Sequence, residues 1–232
     1  MNRKFSQLDD SYWSYAHPDI KIANAKFLER HHTAGVYEVA GLSFECPSGI
    51  YQPHEFGSTR FALRGLFSEL PAPGTRLLEL GTGSGAVGIC LSAAGLDVTM
   101  ADIDPIAVAC AKNNATANQI SARVFQSDLF GSVGDQKYDA VFFNIPLQDK
   151  PVEEPLEIIS CDHGGALFRR FLAEAPHYLL PGGQVYVVVA NIGNRESIMK
   201  ALSNYEDKII YAEFYAGTRA WRWLISAKPL SV

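Results

Sequence analysis

From about residue 76 onward, short apolar runs of strand length alternate with stretches whose apolar residues recur at helical spacing. Leu77-Leu78-Glu79-Leu80 is the first run, and a glycine-dense loop follows it. Ala86 to Leu91 then reads as a small-residue helix. Asp97 to Ala101 is a second strand ending at Asp102, after which Asp104-Pro105 supplies an N-cap and a proline for the first helical turn. That helix carries Ile106, Ala109, Cys110 and Asn113 on one face. Ala122 to Phe125 is a third strand ending near Asp128, and Tyr138 to Phe143 a fourth ending at Asn144. Phe168, Phe171, Leu172 and Ala175 mark a helix that Pro181-Gly182-Gly183 terminates. Val185 to Ala190 is continuously apolar, the pattern of a strand buried on both faces. Ser197 to Leu202 is the last helix.

The chain closes with Ile209 to Tyr215 and Trp221 to Ala227 around Gly217-Thr218. A link this short cannot make a parallel crossover, so the two strands must be antiparallel. The pattern predicts an α/β domain over 73–232, a mostly parallel sheet closed by an antiparallel C-terminal hairpin. Residues 1–72 stand outside it as a helical cap with a small hairpin. A helical stretch opens at Ser11 and runs to about His31, and His31-His32 reads as its solvated end. Val36 to Val39 and Leu42 to Cys46 form the hairpin around Ala40-Gly41, and a further helix starts after Gly57-Ser58-Thr59.

Composition narrows the classes. The chain has 232 residues, 47% of them hydrophobic, and a formal net charge of −5. A sizeable core is available. No apolar run is long enough to span a bilayer and the N-terminus lacks an apolar signal segment, so a cytoplasmic protein with no membrane partner is expected. No Lys/Arg run stands out, which argues against a nucleic-acid partner. Cys46, Cys90, Cys110 and Cys161 show no paired spacing, and no metal site is expected. Oligomeric state is not legible.

The chemistry starts at Glu79-Leu80-Gly81-Thr82-Gly83-Ser84-Gly85. A strand, a tight glycine turn and a helix N-terminus make a place where backbone N–H groups face a nucleotide-like ligand. Gly83-x-Gly85-x-x-Gly88 formally satisfies the dinucleotide fingerprint, with Asp102 near the spacing of its ribose acid. Its register is poor, because the strand ends at Leu80 and a count from Gly81 puts Ala86 where the third glycine belongs. The string instead resembles motif I of the class I S-adenosylmethionine (SAM)-dependent methyltransferases, whose Rossmann-like sheet also closes with an antiparallel hairpin. The resemblance implies SAM as cofactor, held by Glu79, Gly81, Gly83 and Gly85. Asp102 and Ile103 would stand at the ribose, Asp128 and Leu129 at the adenine, and Asn144 near the sulfonium.

Asn144-Ile145-Pro146-Leu147 extends the resemblance to the Asn-Pro-Pro-Tyr methyltransferases, among them the HemK-type glutamine methyltransferases and the small methyltransferase domain enzymes. Ala101-Asp102-Ile103-Asp104, Gln126-Ser127-Asp128-Leu129-Phe130 and the segments from Gly164 and Leu179 support it. In that family the Asn side-chain carbonyl and the next backbone carbonyl accept the hydrogens of a nitrogen nucleophile. Asn144, Ile145 and Pro146 are therefore the candidate catalytic positions. Ile145 and Leu147 depart from the family pattern. Losing the aromatic at Leu147 removes a planar platform and points to N-methylation of a small-molecule, non-planar acceptor. Three alternatives stay open: a HemK-like protein-glutamine methyltransferase, a cyclising SAM-cleaving enzyme such as the azetidine-2-carboxylate synthases, and a SAM-binding sensor. Tyr12, Trp13 and Tyr15 fit no simple amphipathic stripe. They read either as an aromatic lid over the sulfonium or as a helix packed on the core. The loop Pro151 to Pro155 either shapes the acceptor pocket or is solvated.

Overall fold

Among the described residues seven strands share one sheet, and residues 3–13 dock against the strand that runs against the others and its edge neighbour. The computed structural model describes residues 3–13, 28–69, 72–216 and 220–230. A two-stranded antiparallel hairpin, β1 (Gly35–Val39) and β2 (Leu42–Cys46), precedes α1 (Ser58–Ser68). The alternating part follows as β3 (Arg76–Leu80), α2 (Ala86–Ala93), β4 (Asp97–Asp102), α3 (Pro105–Ala117), β5 (Arg123–Gln126) and β6 (Tyr138–Phe143). It continues as α4 (Ala166–Glu174), β7 (Leu179–Ala190), α5 (Arg195–Leu202), β8 (Tyr205–Tyr215) and β9 (Ala220–Pro229).

The sheet order is β5-β4-β3-β6-β7-β9-β8. The five strands from β5 to β7 are parallel, and β9 lies antiparallel between β7 and β8. Side chains alternate across the sheet, so both faces are apolar. One face buries Leu78, Leu80, Val141, Phe143, Val187 and Trp223 under Phe168 and Phe171 of α4 and Ile198 of α5. The other buries Leu77, Val98, Met100, Phe142, Val188 and Leu224 under Phe61 of α1, Ile89 of α2 and Phe44 of the hairpin. The Asp104 carboxylate caps α3 by accepting the Ile106 N–H at 2.8 Å, and Pro105 occupies the first turn.

Several details differ from the sequence expectation. Strand β7 begins at Leu179 and contains Pro181-Gly182-Gly183. A register shift between the Tyr138 and Ala140 pairings absorbs these residues, so they do not end the preceding helix outside the sheet. The buried face of α3 is Ala107, Cys110, Ala111 and Asn114, while Ile106 is exposed. The hairpin causes this rotation, since Asn114 Oδ1 accepts the Glu45 N–H at 2.9 Å and its Nδ2 donates to Glu45 O at 3.0 Å. His31 is not solvated. It is fully buried, with its ring 5.2 Å from that of Tyr51 and 5.4 Å from that of His54.

The N-terminal segment is stitched to the antiparallel end of the sheet. Phe5 is fully buried against Trp223 at 5.3 Å between centroids, and its N–H donates to Asp207 Oδ2 at 2.5 Å. Ile209 N–H donates to Arg3 O at 2.9 Å. Asp10–Tyr12 is a single 3-10 turn, and Asn191 Nδ2 donates to Tyr12 O at 2.8 Å. The stretch read as helical from Ser11 falls mostly on residues 14–27, outside the described residues, as does Tyr15. Among the described residues no helix is long and apolar enough to cross a membrane.

Candidate active site

A cavity of about 580 Å³ opens beyond the carboxyl ends of β3, β4 and β6, where open α/β sheets present ligand sites. Glu79, Gly81, Gly83, Asp102, Ile103, Asp128, Leu129, Asn144, Ile145, Pro146 and Leu147 all line it. Gly85 sits just behind the lining as the residue before α2. It has φ +80°, and a Cβ there would come within 3.2 Å of the Ala111 Cα. Gly83, at φ +55°, faces open space: the nearest atom to an added Cβ is Tyr51 Cβ at 3.9 Å. A side chain at Gly83 would stand in the cavity itself, so this loop keeps room for a ligand against its backbone.

Two carboxylates are built into the floor. Glu79 is 2% exposed and accepts from Thr82 Oγ1 at 2.7 Å and from the Gly88 N–H at 2.9 Å. Burial pushes its pKa up to about 8, against the opposing pull of those two bonds. Asp102 ends β4 and is also raised by burial. Its carboxylate accepts from Gly83 N at 2.8 Å and Asp104 N at 3.0 Å. Asp128, more exposed, takes both oxygens to Arg170 Nη1 at 2.8 and 2.9 Å. Leu129 beside it is 7% exposed and adopts φ +46°, a conformation that few branched side chains take without a structural demand. Ser127 Oγ holds it by donating to Leu129 O at 2.7 Å.

Asn144 follows β6. Its Nδ2 donates to Ser58 Oγ at 2.9 Å, and its Oδ1 is buried and accepts no hydrogen bond among the described residues. Leaving a buried carbonyl unmet costs about 1–3 kcal/mol, which is offset only when something donates to it. The cavity wall beyond Leu147 is the 3-10 turn Pro155–Ile159, which contributes Pro155, Leu156, Ile158 and Ile159. The turn is anchored by the buried pair Lys150 Nζ to Glu157 Oε1 at 2.6 Å, with Glu153 N–H donating to Glu157 Oε2 at 2.7 Å. Of the loop Pro151 to Pro155 only Pro155 reaches the cavity; the rest is exposed, and the turn that Pro155 opens forms the wall.

Of the two readings left open for the N-terminal aromatics, position disfavours the lid. Tyr12 and Trp13 do not line the cavity. They cover the tryptophans of β9, Tyr12 at 5.2 Å from Trp221 and Trp13 at 6.0 Å from Trp223, because the apolar face of that strand needs a cover. In their place His32, Tyr51, Ser58 and Thr59 close the site from the N-terminal side. No motif announced these residues, although the turn and helix start that carry Ser58 and Thr59 are visible in the sequence.

Residues 56–215 match the profile of the methyltransferase small domain, which covers most of the chain. The chain belongs to this family. Among its relatives, ribosomal RNA small subunit methyltransferase C of Chromohalobacter salexigens is 35% identical over 157 residues, 67% of this chain and 44% of that one. A protein of Methanocaldococcus jannaschii assigned as a protein N5-glutamine methyltransferase is 30% identical over 173 residues, 71% of this chain and 85% of that one. The fold matches T. thermophilus 16S rRNA N2 G1207 methyltransferase, solved with AdoMet and guanosine, at TM-score 0.66 and 18% identity. That match covers 85% of this chain and 50% of the other. The chain thus spans less than half the length of the C. salexigens relative.

As a methyltransferase small domain, the chain has SAM as its cofactor. The glycine turn that leaves the cavity open and the paired buried acids suit a ligand with an adenosyl group and an ammonium. The expected partners are overturned. Relatives of this chain are named for ribosomal RNA, a ribosomal protein and release factors, all macromolecules, so a small-molecule acceptor and a bar on nucleic acid do not stand. The expectation rested on the lack of a Lys/Arg run and on Leu147 alone, and neither feature identifies a substrate.

Proposed function

We propose that this chain transfers the methyl group of SAM to an amino nitrogen attached to a planar sp² carbon of a macromolecule. A glutamine amide and a guanine base share that group; the M. jannaschii relative is named for the first and the T. thermophilus structural neighbour for the second. The observation that carries this reading is the Asn144 carbonyl, buried at the cavity without a donor while its own amide is held by Ser58. Such an oxygen accepts one N–H of the incoming nitrogen, and the Ile145 backbone carbonyl takes the other. Pro146 fixes the turn that aims both. SAM supplies an electrophilic methyl carbon on a sulfonium. The chain's contribution is to hold the nitrogen in line with it and to exclude water, and positioning of this kind accounts for much of the rate of a two-reactant step. Tyr51, not position 147, supplies an aromatic ring at the wall.

A protein glutamine is the first choice, because the match to the glutamine-type relative covers 85% of that protein. An amino group of a ribosomal RNA base, such as guanine, is the second; the 35% identical relative is named for ribosomal RNA. The test is incubation with methyl-tritiated SAM and either small ribosomal subunits or release factor and ribosomal proteins. Label recovered as N5-methylglutamine supports the first, and label on a guanine amino group supports the second. Release of methylthioadenosine from SAM alone, with no labelled macromolecule, would overturn methyl transfer.

A further inference from the structure

We infer that Tyr51 and Ser58 are positioning residues that set which end of the Asn144 amide faces the acceptor. The inference rests on the role just proposed for Asn144. The three side chains form a directed chain of hydrogen bonds. The Ser58 backbone N–H, which can only donate, meets Tyr51 Oη at 2.9 Å. Ser58 Oγ donates its hydrogen to the same Tyr51 oxygen, also at 2.9 Å. With that hydrogen engaged, Ser58 Oγ faces Asn144 with lone pairs only, and it takes the Nδ2 donor at 2.9 Å. The amide carbonyl is thereby turned away from Ser58 and left without a donor.

The direction matters because an amide flip reverses the chemistry. A carbonyl at the cavity accepts the hydrogens of an amine and leaves its lone pair free to attack. An NH₂ there would instead donate to that lone pair and quench it. The Ser58 hydroxyl alone does not choose between these states, since a hydroxyl both donates and accepts. Tyr51 biases the choice by accepting the Ser58 backbone N–H and, as the bonds are directed here, the Ser58 hydroxyl hydrogen as well. Its ring is braced by His31 at 5.2 Å, and Ser58 is fixed as the first residue of α1, so neither partner is free to swing. Among the described residues Ser58 is the side chain that hydrogen-bonds the Asn144 amide, and both it and Tyr51 come from the segment before the glycine loop.

The test reads the amide directly. The Asn144 side-chain NH₂ signals are assigned in the nitrogen-15 spectrum of the full chain by their loss in Asn144→Ala, and their exchange with water is measured. Ser58→Ala and Tyr51→Phe should each speed that exchange at least tenfold, and Ser58→Thr should restore it. In methyl transfer to a mixture of ribosomal subunits and release factor, Ser58→Ala should lower kcat at least tenfold with KM for SAM changed less than twofold. Tyr51→Phe should lower it severalfold, and Ser58→Thr should recover most of it. Unchanged amide exchange in Ser58→Ala and Tyr51→Phe would overturn the inference. So would full activity of both variants where Asn144→Ala is dead, while leaving the role of Asn144 intact. An active Asn144→Ala would instead bring down the role of Asn144 itself.

Discussion

The Gly83 N–H donates to the Asp102 carboxylate at 2.8 Å, so the glycine turn after β3 and the end of β4 are one unit. The same carboxylate also takes the Asp104 N–H at 3.0 Å and still lines the cavity. Asp102 thus shapes the loop, and in the role proposed for it also presents an acceptor to the ribose of the cofactor. Asp102→Ala should weaken SAM and S-adenosylhomocysteine binding at least tenfold, about 1.4 kcal/mol or more, since it removes charged hydrogen bonds and loosens the loop. Asp102→Asn, which keeps one acceptor oxygen, should lose less. Titration calorimetry measures both, and unchanged affinity in Asp102→Ala would exclude the role.

Asn144 should separate chemistry from binding. If its buried carbonyl, which accepts no hydrogen bond among the described residues, receives the acceptor nitrogen as proposed, Asn144→Ala should reduce kcat by roughly 10²-fold or more, in the range of a lost positioning contact. SAM affinity should stay within about twofold, because the substitution leaves Glu79 and Asp102, the proposed cofactor residues, in place. An equal fall in SAM binding would make Asn144 a cofactor residue.

Local chemistry made the sheet and the cofactor side of the site legible. Strand-length apolar runs, the Asp104-Pro105 cap and the glycine turn each declare themselves within a few residues, and the short link between the last strands fixed their antiparallel pairing. The acceptor side was legible only in the Asn144 motif, because its other wall comes from distant segments. Ser58 and Asn144 are 86 residues apart and meet only once α1 lies beside β6. The exposed or buried state of His31 and of the α3 face depended on the hairpin, whose packing no periodicity encodes. Tyr12 and Trp13 were misplaced for a similar reason. Aromatic residues near a terminus suit a lid or a cover equally, and only the bare tryptophans of β9 decide between them.

Those tryptophans yield a third expectation. Phe5 is wholly buried and bonded through its backbone to Asp207, so the first segment belongs to the core of the antiparallel end of the sheet. Phe5→Ala should lower stability by about 3–5 kcal/mol, the usual penalty for emptying a buried phenylalanine site. Removal of residues 1–13 should be at least as damaging. Denaturant unfolding measures the change. A truncated chain with wild-type stability and poor turnover would restore the lid reading.

Gly88 offers a test of packing beneath the cofactor loop. A Cβ added there would meet Glu79 Oε2, and Met100 Sδ at 2.5 Å, both fixed on neighbouring strands. Alanine favours a helix interior by about 1 kcal/mol, but overpacking a filled core costs about 1–3 kcal/mol. The collision also displaces the Gly88 N–H from Glu79, so Gly88→Ala should be less stable than the parent and weaker in SAM binding. A melting temperature at or above the parent's would show that helix α2 shifts to absorb the methyl.

Glu79 ties cofactor binding to protons. Its carboxyl holds its proton up to a pH of about 8 in the folded chain, against a usual value of 4.5, because it is buried. The folded state therefore binds the proton more tightly than the unfolded state. The stability that this preference contributes is full below pH 4.5, falls as pH rises through about 8, and is constant beyond that. The parent should accordingly lose up to about 4 kcal/mol relative to Glu79→Gln between pH 5 and pH 8.5, since the amide cannot ionise. Binding of SAM reverses the preference if its ammonium stands beside Glu79, because a cation at contact distance favours the carboxylate. At pH 7 the complex should then release close to one proton, and Glu79→Gln should release none. Calorimetry in two buffers of different ionisation enthalpy counts that proton. Equal apparent heats in both buffers for the parent would place the ammonium away from Glu79.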